Sequence, residues 1–152
     1  MDKSKIDELI RKAGYEIKVD KIPEGYTPGI IIRIQKGKTH AFIDIHIENN
    51  KAYFGKLHIG NVEKGVWHKP GHISAAKAID LMLYTTEREL KKERVKIIQG
   101  WPGPQLERLL RRRGYNLKKQ EYYGFDIKKR IGRKNPLPLI LQSKVKKAIK
   151  KI

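Results

Sequence analysis

The sequence contains no cysteine among its 152 residues. It therefore cannot form disulfides, bind a metal through thiolates or use a cysteine nucleophile. No run approaches the roughly 20 apolar residues of a membrane-spanning helix. The first residues lack the apolar stretch of a signal peptide, so we expect a cytoplasmic protein. Methionine is also scarce, whereas Lys, Arg, Glu and Ile are abundant, a balance typical of a thermophile.

Acidic residues are few compared with basic residues. Sixteen Asp and Glu stand against 35 Lys and Arg, which gives a net charge of +19. The excess is uneven, because residues 111–152 hold 15 basic residues and two acidic ones. A strongly basic segment is typical of proteins with an anionic partner, and DNA or RNA is the first candidate. A lysine-rich soluble surface is the alternative interpretation.

The first 60 residues predict one short helix followed by strands. Ile6 and Ile10 lie on the buried side of a helix that ends at Gly14, and a strand follows over residues 15–19. Alternating apolar residues then predict three strands, joined by Lys36-Gly37-Lys38 and by Asn49-Asn50. These strands span residues 29–35, 40–48 and 51–59, and the last places Tyr53, Gly55, Leu57 and Ile59 on one face. An antiparallel meander is the expected result.

The middle of the chain predicts a helix, a strand and a second helix. The first helix has an apolar stripe of Ile73, Ala76, Ile79 and Leu83. The β-branched run at 95–98 predicts a strand that is buried on both faces. Pro104 suits the start of the second helix, and Gly114 suits a left-handed cap at its end. Such a unit requires a sheet to pack on.

The remaining residues predict closing strands and a tail. Residues 116–131 form one or two strands, 132–138 a linker, and 139–152 a basic amphipathic helix. That helix could pack on the domain or on a second copy in a homodimer. We therefore predict one domain over 1–131 with linker and tail, of α/β (α+β) class.

This order of elements resembles the GNAT superfamily of acetyl-CoA-dependent N-acyltransferases over residues 29–131. The last helix of that family often reads N-x-x-A-x-x-L-Y-x-x-x-G-F. The residues at its defined positions here are Gly103, Leu106, Leu109, Leu110, Gly114 and Tyr115. The resemblance implies a mixed sheet with a meander, a helix–strand–helix unit and closing strands. It also implies transfer of an acetyl group from acetyl-CoA to an amine.

The resemblance further implies a cofactor site before the central helix. The family's loop there reads [QR]-x-x-G-x-[GA], and its backbone amides approach the cofactor pyrophosphate. Here His68, Gly71 and Ile73 stand at the three defined positions. The cofactor-binding residues that the resemblance implies are Gly71, His72, Ile73, Ser74, Ala75 and Ala76.

The resemblance leaves the catalytic residues open. Leu110 stands where the family commonly has a tyrosine that acts as general acid. Candidate catalytic residues are therefore Tyr115, Tyr122, Tyr123 and Glu48, and Asp44 or a histidine could also activate an amine. The same residues fit ordinary positions in strands, where tyrosines are half-buried and polar side chains face solvent.

An alternative function is a catalytically degenerate GNAT-like module that binds DNA or RNA through its basic C-terminal third. Basic residues there interleave with aromatic rings, a pattern suited to phosphate contacts beside stacked bases. The candidates are Arg108, Arg111, Arg112, Arg113, Lys118, Lys119, Lys128, Lys129, Arg130, Arg133 and Lys134. Aromatic residues that face the core would give the same pattern. Of the five histidines, His68 and His72 have the i, i+4 spacing of a helical metal site, but Pro70-Gly71 between them disfavours a helix and no cysteine or H-E-x-x-H motif accompanies them, so we predict no metal site.

Overall fold

The computed structural model describes residues 3–22, 28–37, 39–61, 75–102, 106–119, 125–132 and 134–142. These residues contain three helices and seven strands. In chain order the elements are α1 (Lys3–Lys12), β1 (Glu16–Lys21), β2 (Gly29–Lys36), β3 (Thr39–Glu48), β4 (Lys51–Asn61), α2 (Ala75–Lys92), β5 (Ile97–Gly100), α3 (Glu107–Arg112), β6 (Asn116–Lys119) and β7 (Phe125–Arg130). None of the described helices is both long enough and apolar enough to span a bilayer.

All seven strands form one mixed sheet in the order β1-β2-β3-β4-β5-β7-β6. Neighbouring strands are antiparallel except β4 and β5, which are parallel because α2 connects them. The predicted meander is confirmed as β2, β3 and β4. Its second turn is tight, with φ of 49° at Asn49 and 66° at Asn50, the left-handed pair that a two-residue hairpin turn requires.

One face of the sheet forms the core. Cross-strand partners share a face, so the pairs Ile32–Ile43 and Ile45–Phe54 lie on the same side. Helix α2 packs on this face and is buried continuously over residues 78–87. A helix that is buried all round must have neighbours on every side. The sheet, α1 and the segment 134–142 supply contacts to it, so α2 is the central element of the fold.

An ion pair joins α1 to α2. Arg88 holds both carboxylate oxygens of Asp7, and its Nη2 lies 2.8 Å from Asp7 Oδ2. The hydrogen bond from Arg88 is the main cause of a lowered pKa at the Asp7 carboxyl. A carboxyl whose pKa is lowered in the folded state stabilises the fold at pH values above its pKa in the unfolded state. This contribution is lost as pH falls through the pKa of the folded state.

We expect Asp7→Asn to lower the free energy of unfolding at pH 7 by less than about 1 kcal/mol, because half of the Asp7 side chain is exposed. The difference from wild type should shrink as pH falls through the lowered pKa of Asp7 in the folded state. Urea denaturation at several pH values measures both effects. Glu8→Gln is the matched control, since Glu8 pairs with Lys12 within α1. Equal effects of the two variants at pH 7 would show that the link to α2 adds nothing.

Four charged side chains are buried between α2, α3 and β7. The Arg113 guanidinium is 2.9 Å from Asp80 Oδ1 and 3.6 Å from Glu87 Oε2, and its side chain is 1% exposed. Lys129 Nζ lies 2.5 Å from Glu87 Oε1 and also donates to the backbone carbonyl of Arg113. Burial raises the pKa of the Glu87 carboxyl, although both cations oppose the rise. Two cations therefore neutralise two carboxylates inside the core.

The segment after β7 is fastened to this cluster. Arg113 donates to Asn135 Oδ1 at 2.5 Å and to the Pro136 carbonyl at 3.0 Å, and Leu139 N donates to Asp80 Oδ2 at 2.7 Å. Leu141, in a helical turn over 139–142, is fully buried. Within the segment predicted as a linker over 132–138, Asn135 and Pro136 therefore contact this cluster, and Asn135 also donates to the Tyr84 carbonyl of α2 at 3.1 Å. The rest of the predicted tail helix lies outside the described residues.

Element ends follow local signals. Gly114 has a φ of 87°, and Tyr115 N donates to the Leu110 carbonyl at 3.0 Å, which confirms the predicted cap of α3. At the end of α2, Arg94 takes a φ of 58° and Val95 N donates to the Leu90 carbonyl at 3.0 Å. The helix termination thus includes Val95, and the strand begins at Ile97 rather than at 95 as predicted.

Candidate functional site

The site begins where the two parallel strands separate. Strands β4 and β5 pair only over Lys51–Tyr53 and Ile97–Gln99, and β4 then continues for eight residues. Trp101-Pro102 follows β5 directly, and a proline has no N–H with which to extend a ladder. Among the described residues, the β5-facing edge of β4 beyond Tyr53 therefore has no strand partner. An opening results in the middle of the sheet.

A β-bulge lies in β4 at the start of this opening. Ile45 pairs with Phe54 and Ile43 with Leu57, so β4 contains one extra residue between these pairs. Lys56 N donates to Asp44 Oδ1 and fixes the bulge. A Cβ on Gly55 would lie 2.0 Å from Asp44 Oδ1 and 2.9 Å from His46 Nε2. Glycine is therefore required at position 55 with these neighbours in place.

The bulge corrects one prediction from the alternating pattern. Tyr53 pairs with His46 on the outer face, whereas Leu57 pairs with Ile43 on the core face. The extra residue moves Leu57 to the side opposite Tyr53, so the predicted shared face of these residues is wrong. The glycine was the available signal, since an isolated glycine in a strand often marks a bulge.

An apolar cavity of about 380 Å³ lies under the opening. In the described part of the chain, the lining residues are all apolar or glycine: Ile43, Phe54, Gly55, Leu57, Ile79, Leu83, Trp101, Pro102, Leu106, Leu110 and Ile127. Gly100 allows Phe54 to pack here, because a Cβ on Gly100 would lie 2.8 Å from the Phe54 ring. Small-molecule sites are typically concave and mostly apolar, with a few polar groups at the rim.

Polar side chains lie on the other side of Gly55. Asp44 and His46 occupy the outer face of β3, opposite the core, and both adjoin Gly55. His46 Nδ1 is buried and has no hydrogen-bond partner among the described residues. Gly55 is thus shared between the apolar cavity and a carboxylate–imidazole pair. No group of three metal-ligating side chains occurs in the described part of the chain.

A second, larger groove of about 780 Å³ lies between α1, α2 and strands β1 to β3. Its lining includes Asp7 and Arg88, which form an ion pair with each other. The sheet beneath it is continuous, since β1, β2 and β3 pair along their length. The groove therefore lacks the exposed strand edge found at the β4–β5 opening.

Most of the predicted cofactor loop, including Gly71, His72, Ile73 and Ser74, lies outside the described residues. Ala75 and Ala76 are the first residues of α2. Ile79, in the cavity lining, follows Ala76 by three residues, or about 4.5 Å along the helix. The start of α2 is therefore about one helical turn from the cavity.

Of the predicted catalytic residues Tyr115, Tyr122, Tyr123 and Glu48, only Tyr115 and Glu48 lie in the described part of the chain, and neither is in the cavity lining. Tyr115 is 4% exposed, its ring contacts that of Phe54, and its hydroxyl has no hydrogen-bond partner among the described residues. Burial raises the pKa of the Tyr115 hydroxyl well above its usual value. Glu48 is exposed beside the β3–β4 turn, about 20 Å along β4 from Leu57. Tyr122 and Tyr123 lie outside the described residues.

The predicted nucleic-acid residues separate into groups. Arg113 and Lys129 are buried in ion pairs, so they cannot contribute to an exposed basic surface. Arg133 lies outside the described residues. The exposed cations are Arg108, Arg111 and Arg112 on α3, Lys118 and Lys119 on β6, Lys128 and Arg130 on β7, and Lys134. Register places Lys118 and Lys128 on the outer face, away from α3. Binding of nucleic acid by these residues stays a prediction.

Comparison with known structures identifies the architecture. The ribosomal-protein-S18-alanine N-acetyltransferase from Escherichia coli superposes with a TM-score of 0.52 over 79% of this chain and 97% of that enzyme, at 11% identity. The chain has the GNAT fold. The AHL synthase LasI gives a TM-score of 0.51 over 91% of this chain and 84% of its own, also at 11% identity. The predicted GNAT-like mixed sheet is thereby confirmed.

A third structure is that of the PaiA N-acetyltransferase from Thermoplasma acidophilum in complex with coenzyme A, with a TM-score of 0.49 and 19% identity. The match covers 66% of this chain, which spans 59% of that protein's length. The sequence matches no family model and no curated protein. These GNAT-fold structures are similar to the chain in architecture alone.

Proposed function

We propose that this GNAT-fold chain transfers an acyl group from an acyl-CoA to an amine at the β4–β5 opening. The observation that carries the proposal is the apolar cavity beneath two parallel strands that separate beside a bulge. A bound acyl-CoA would supply the activated acyl group as a thioester. The residues present fit such a molecule, because the site combines a free strand edge, an apolar cavity and the start of an 18-residue helix.

Different parts of the site would hold different parts of the donor. The edge of β4 beyond Tyr53 offers backbone groups to the amide-containing arm, in the manner of an added strand. The amides at the start of α2 suit the phosphates, since a helix N-terminus favours anions. The apolar lining suits the acyl group and excludes water.

As the amine nitrogen forms a bond to the acyl carbon, the carbon–sulfur bond of the thioester would break and coenzyme A would leave as a thiolate, which solvent can protonate. The amine must also lose a proton. His46 is the candidate acceptor for this proton, because it adjoins Gly55 and its Nδ1 has no partner among the described residues. Asp44 lies beside it but is occupied with Lys56 N. Leu110 lines the cavity and has no proton to donate. The chain would therefore act by positioning the donor and by accepting the amine proton.

Isothermal titration with coenzyme A at moderate salt tests the proposal. We expect one equivalent to bind with a micromolar Kd. Because the chain carries a net charge of +19, phosphates alone could produce binding, and ADP is the matched control that lacks the amide-containing arm. Coenzyme A should bind more tightly than ADP, and the difference should persist as salt increases. Equal affinities for the two ligands would overturn the proposed site.

A further inference from the structure

The shape and chemistry of the β4–β5 cavity also specify its acyl group. We infer that the donor carries a straight, saturated acyl chain of medium length, about six to ten carbons, rather than an acetyl group. This inference rests on the proposed acyl transfer and names its donor.

The cavity extends from the surface into the core. Trp101 at one end is 64% exposed, whereas Ile43 and Leu83 at the other end are 4% and 3% exposed. Ile43 lies on β3, one strand beyond the opening, and Leu83 lies more than two turns into α2. A group that enters at Trp101 therefore passes beneath β4 before it meets the inner wall. An acetyl group would stop near the entrance.

Among the described lining residues, the indole N–H of Trp101 is the one side-chain hydrogen-bond donor, and Trp101 is 64% exposed; the other lining side chains are hydrocarbon or glycine. Leu110 contributes an aliphatic side chain to this lining. An acyl group with a carboxylate or hydroxyl at its far end would lose water there without gaining a partner, which is strongly unfavourable. The lining therefore selects an alkyl chain against acyl groups with a polar end.

The volume sets the length. A cavity of about 380 Å³ has room for roughly a dozen groups of the size of a water molecule, at about 30 Å³ each. A methylene group occupies a similar space. An acetyl group would leave most of the cavity empty and its walls without contacts, whereas an eight-carbon chain would fill most of it.

The test compares coenzyme A, acetyl-CoA, octanoyl-CoA and succinyl-CoA by isothermal titration on the wild-type chain. Each buried methylene raises affinity about fourfold, so octanoyl-CoA should bind at least ~100-fold more tightly than acetyl-CoA. Succinyl-CoA should bind no more tightly than acetyl-CoA. Binding of coenzyme A without a gain from the octanoyl chain would overturn this inference and leave the proposed function standing. Failure of all four ligands to bind would overturn both.

A cavity-filling variant tests where the acyl chain of the donor binds. Leu83→Trp places a larger side chain at the inner wall, and Leu83→Met is the control of conserved volume. The tryptophan variant should lose most of the octanoyl preference and keep the affinity for coenzyme A, whereas the methionine variant should keep both. Retained coenzyme A binding shows that the variant is folded. If both variants prefer octanoyl-CoA over acetyl-CoA to the same degree, the acyl chain binds outside this cavity and the inference is overturned.

Discussion

Replacing Arg113 by methionine is expected to lower the free energy of unfolding by about 3–5 kcal/mol. The substitution removes the guanidinium that bonds Asp80 at 2.9 Å and holds the segment after β7 through Asn135 and Pro136. Asp80 would keep its bond from Leu139 N but would lose its cation inside the core. A buried charge without its partner is far more costly than a broken pair on the surface, and this sets the magnitude.

The neighbouring Arg112 is the matched control for Arg113, since it is exposed on the same helix. Arg112→Met should change stability by no more than about 0.5 kcal/mol. Thermal denaturation should show a fall in Tm of about 10 °C or more for Arg113→Met and almost none for the control. Arg113→Lys keeps the charge but not the planar fork, so its stability should be intermediate. Equal stability of the two methionine variants would refute the role of the buried cluster.

Features set by short stretches of sequence could be predicted. Asn49 and Asn50 adopt the left-handed turn that their residue type favours, and Gly114 adopts the left-handed cap. The three strands of the meander agree with their predicted bounds to within about two residues. Each of these features depends on residues that are near one another in the chain. Local propensity therefore sufficed to predict the meander and the end of α3.

The burial of Arg113 and Lys129 could not be predicted from the distribution of charged residues along the sequence. Both lie in a segment whose basic excess indicates a solvated or nucleic-acid-binding surface, yet their partners Asp80 and Glu87 are far away in sequence, on α2. A usable signal was present in α2 itself, where Asp80 and Glu87 interrupt an otherwise apolar side at a spacing of two turns. Buried carboxylates require buried cations, but the sequence does not show which of its 35 Lys and Arg residues will supply them.

The cofactor loop that the resemblance implies stays a prediction, because residues 71–74 lie outside the described part of the chain. The details of the candidate site at the β4–β5 opening could not be predicted from the sequence. The bulge changes which side chains face the cavity, and a pattern of period two cannot include it. The sequence alone does not distinguish His46 from the other four histidines. Its position beside Gly55 follows from cross-strand register, which depends on the extra residue in β4.

Gly55→Ala is expected to reduce acyl transfer by about 100-fold or more, because an ångström-scale displacement at a reacting centre has effects of that size. The added methyl group would lie 2.0 Å from Asp44 Oδ1, so Asp44, the bulge or both must shift. A shift of the bulge moves the strand edge and the cavity wall at Gly55, and the methyl group also crowds His46 Nε2, which would lie 2.9 Å from it. The free energy of unfolding should fall by about 1–3 kcal/mol, as for other overpacked sites. Steady-state kinetics and urea denaturation of one preparation measure both effects.

A double-mutant cycle with Asp44→Ala separates steric conflict from a general intolerance of alanine at position 55. Asp44→Ala alone removes the acceptor for Lys56 N and should cost about 1 kcal/mol. In the double variant the methyl group meets no carboxylate oxygen, so the loss of stability should be smaller than the sum of the two single losses. Additive losses would mean that Asp44 does not restrict position 55. In that case glycine would be required at position 55 only for the backbone conformation of the bulge. The position of Gly55 between the cavity and the Asp44–His46 pair would not explain why glycine is needed there.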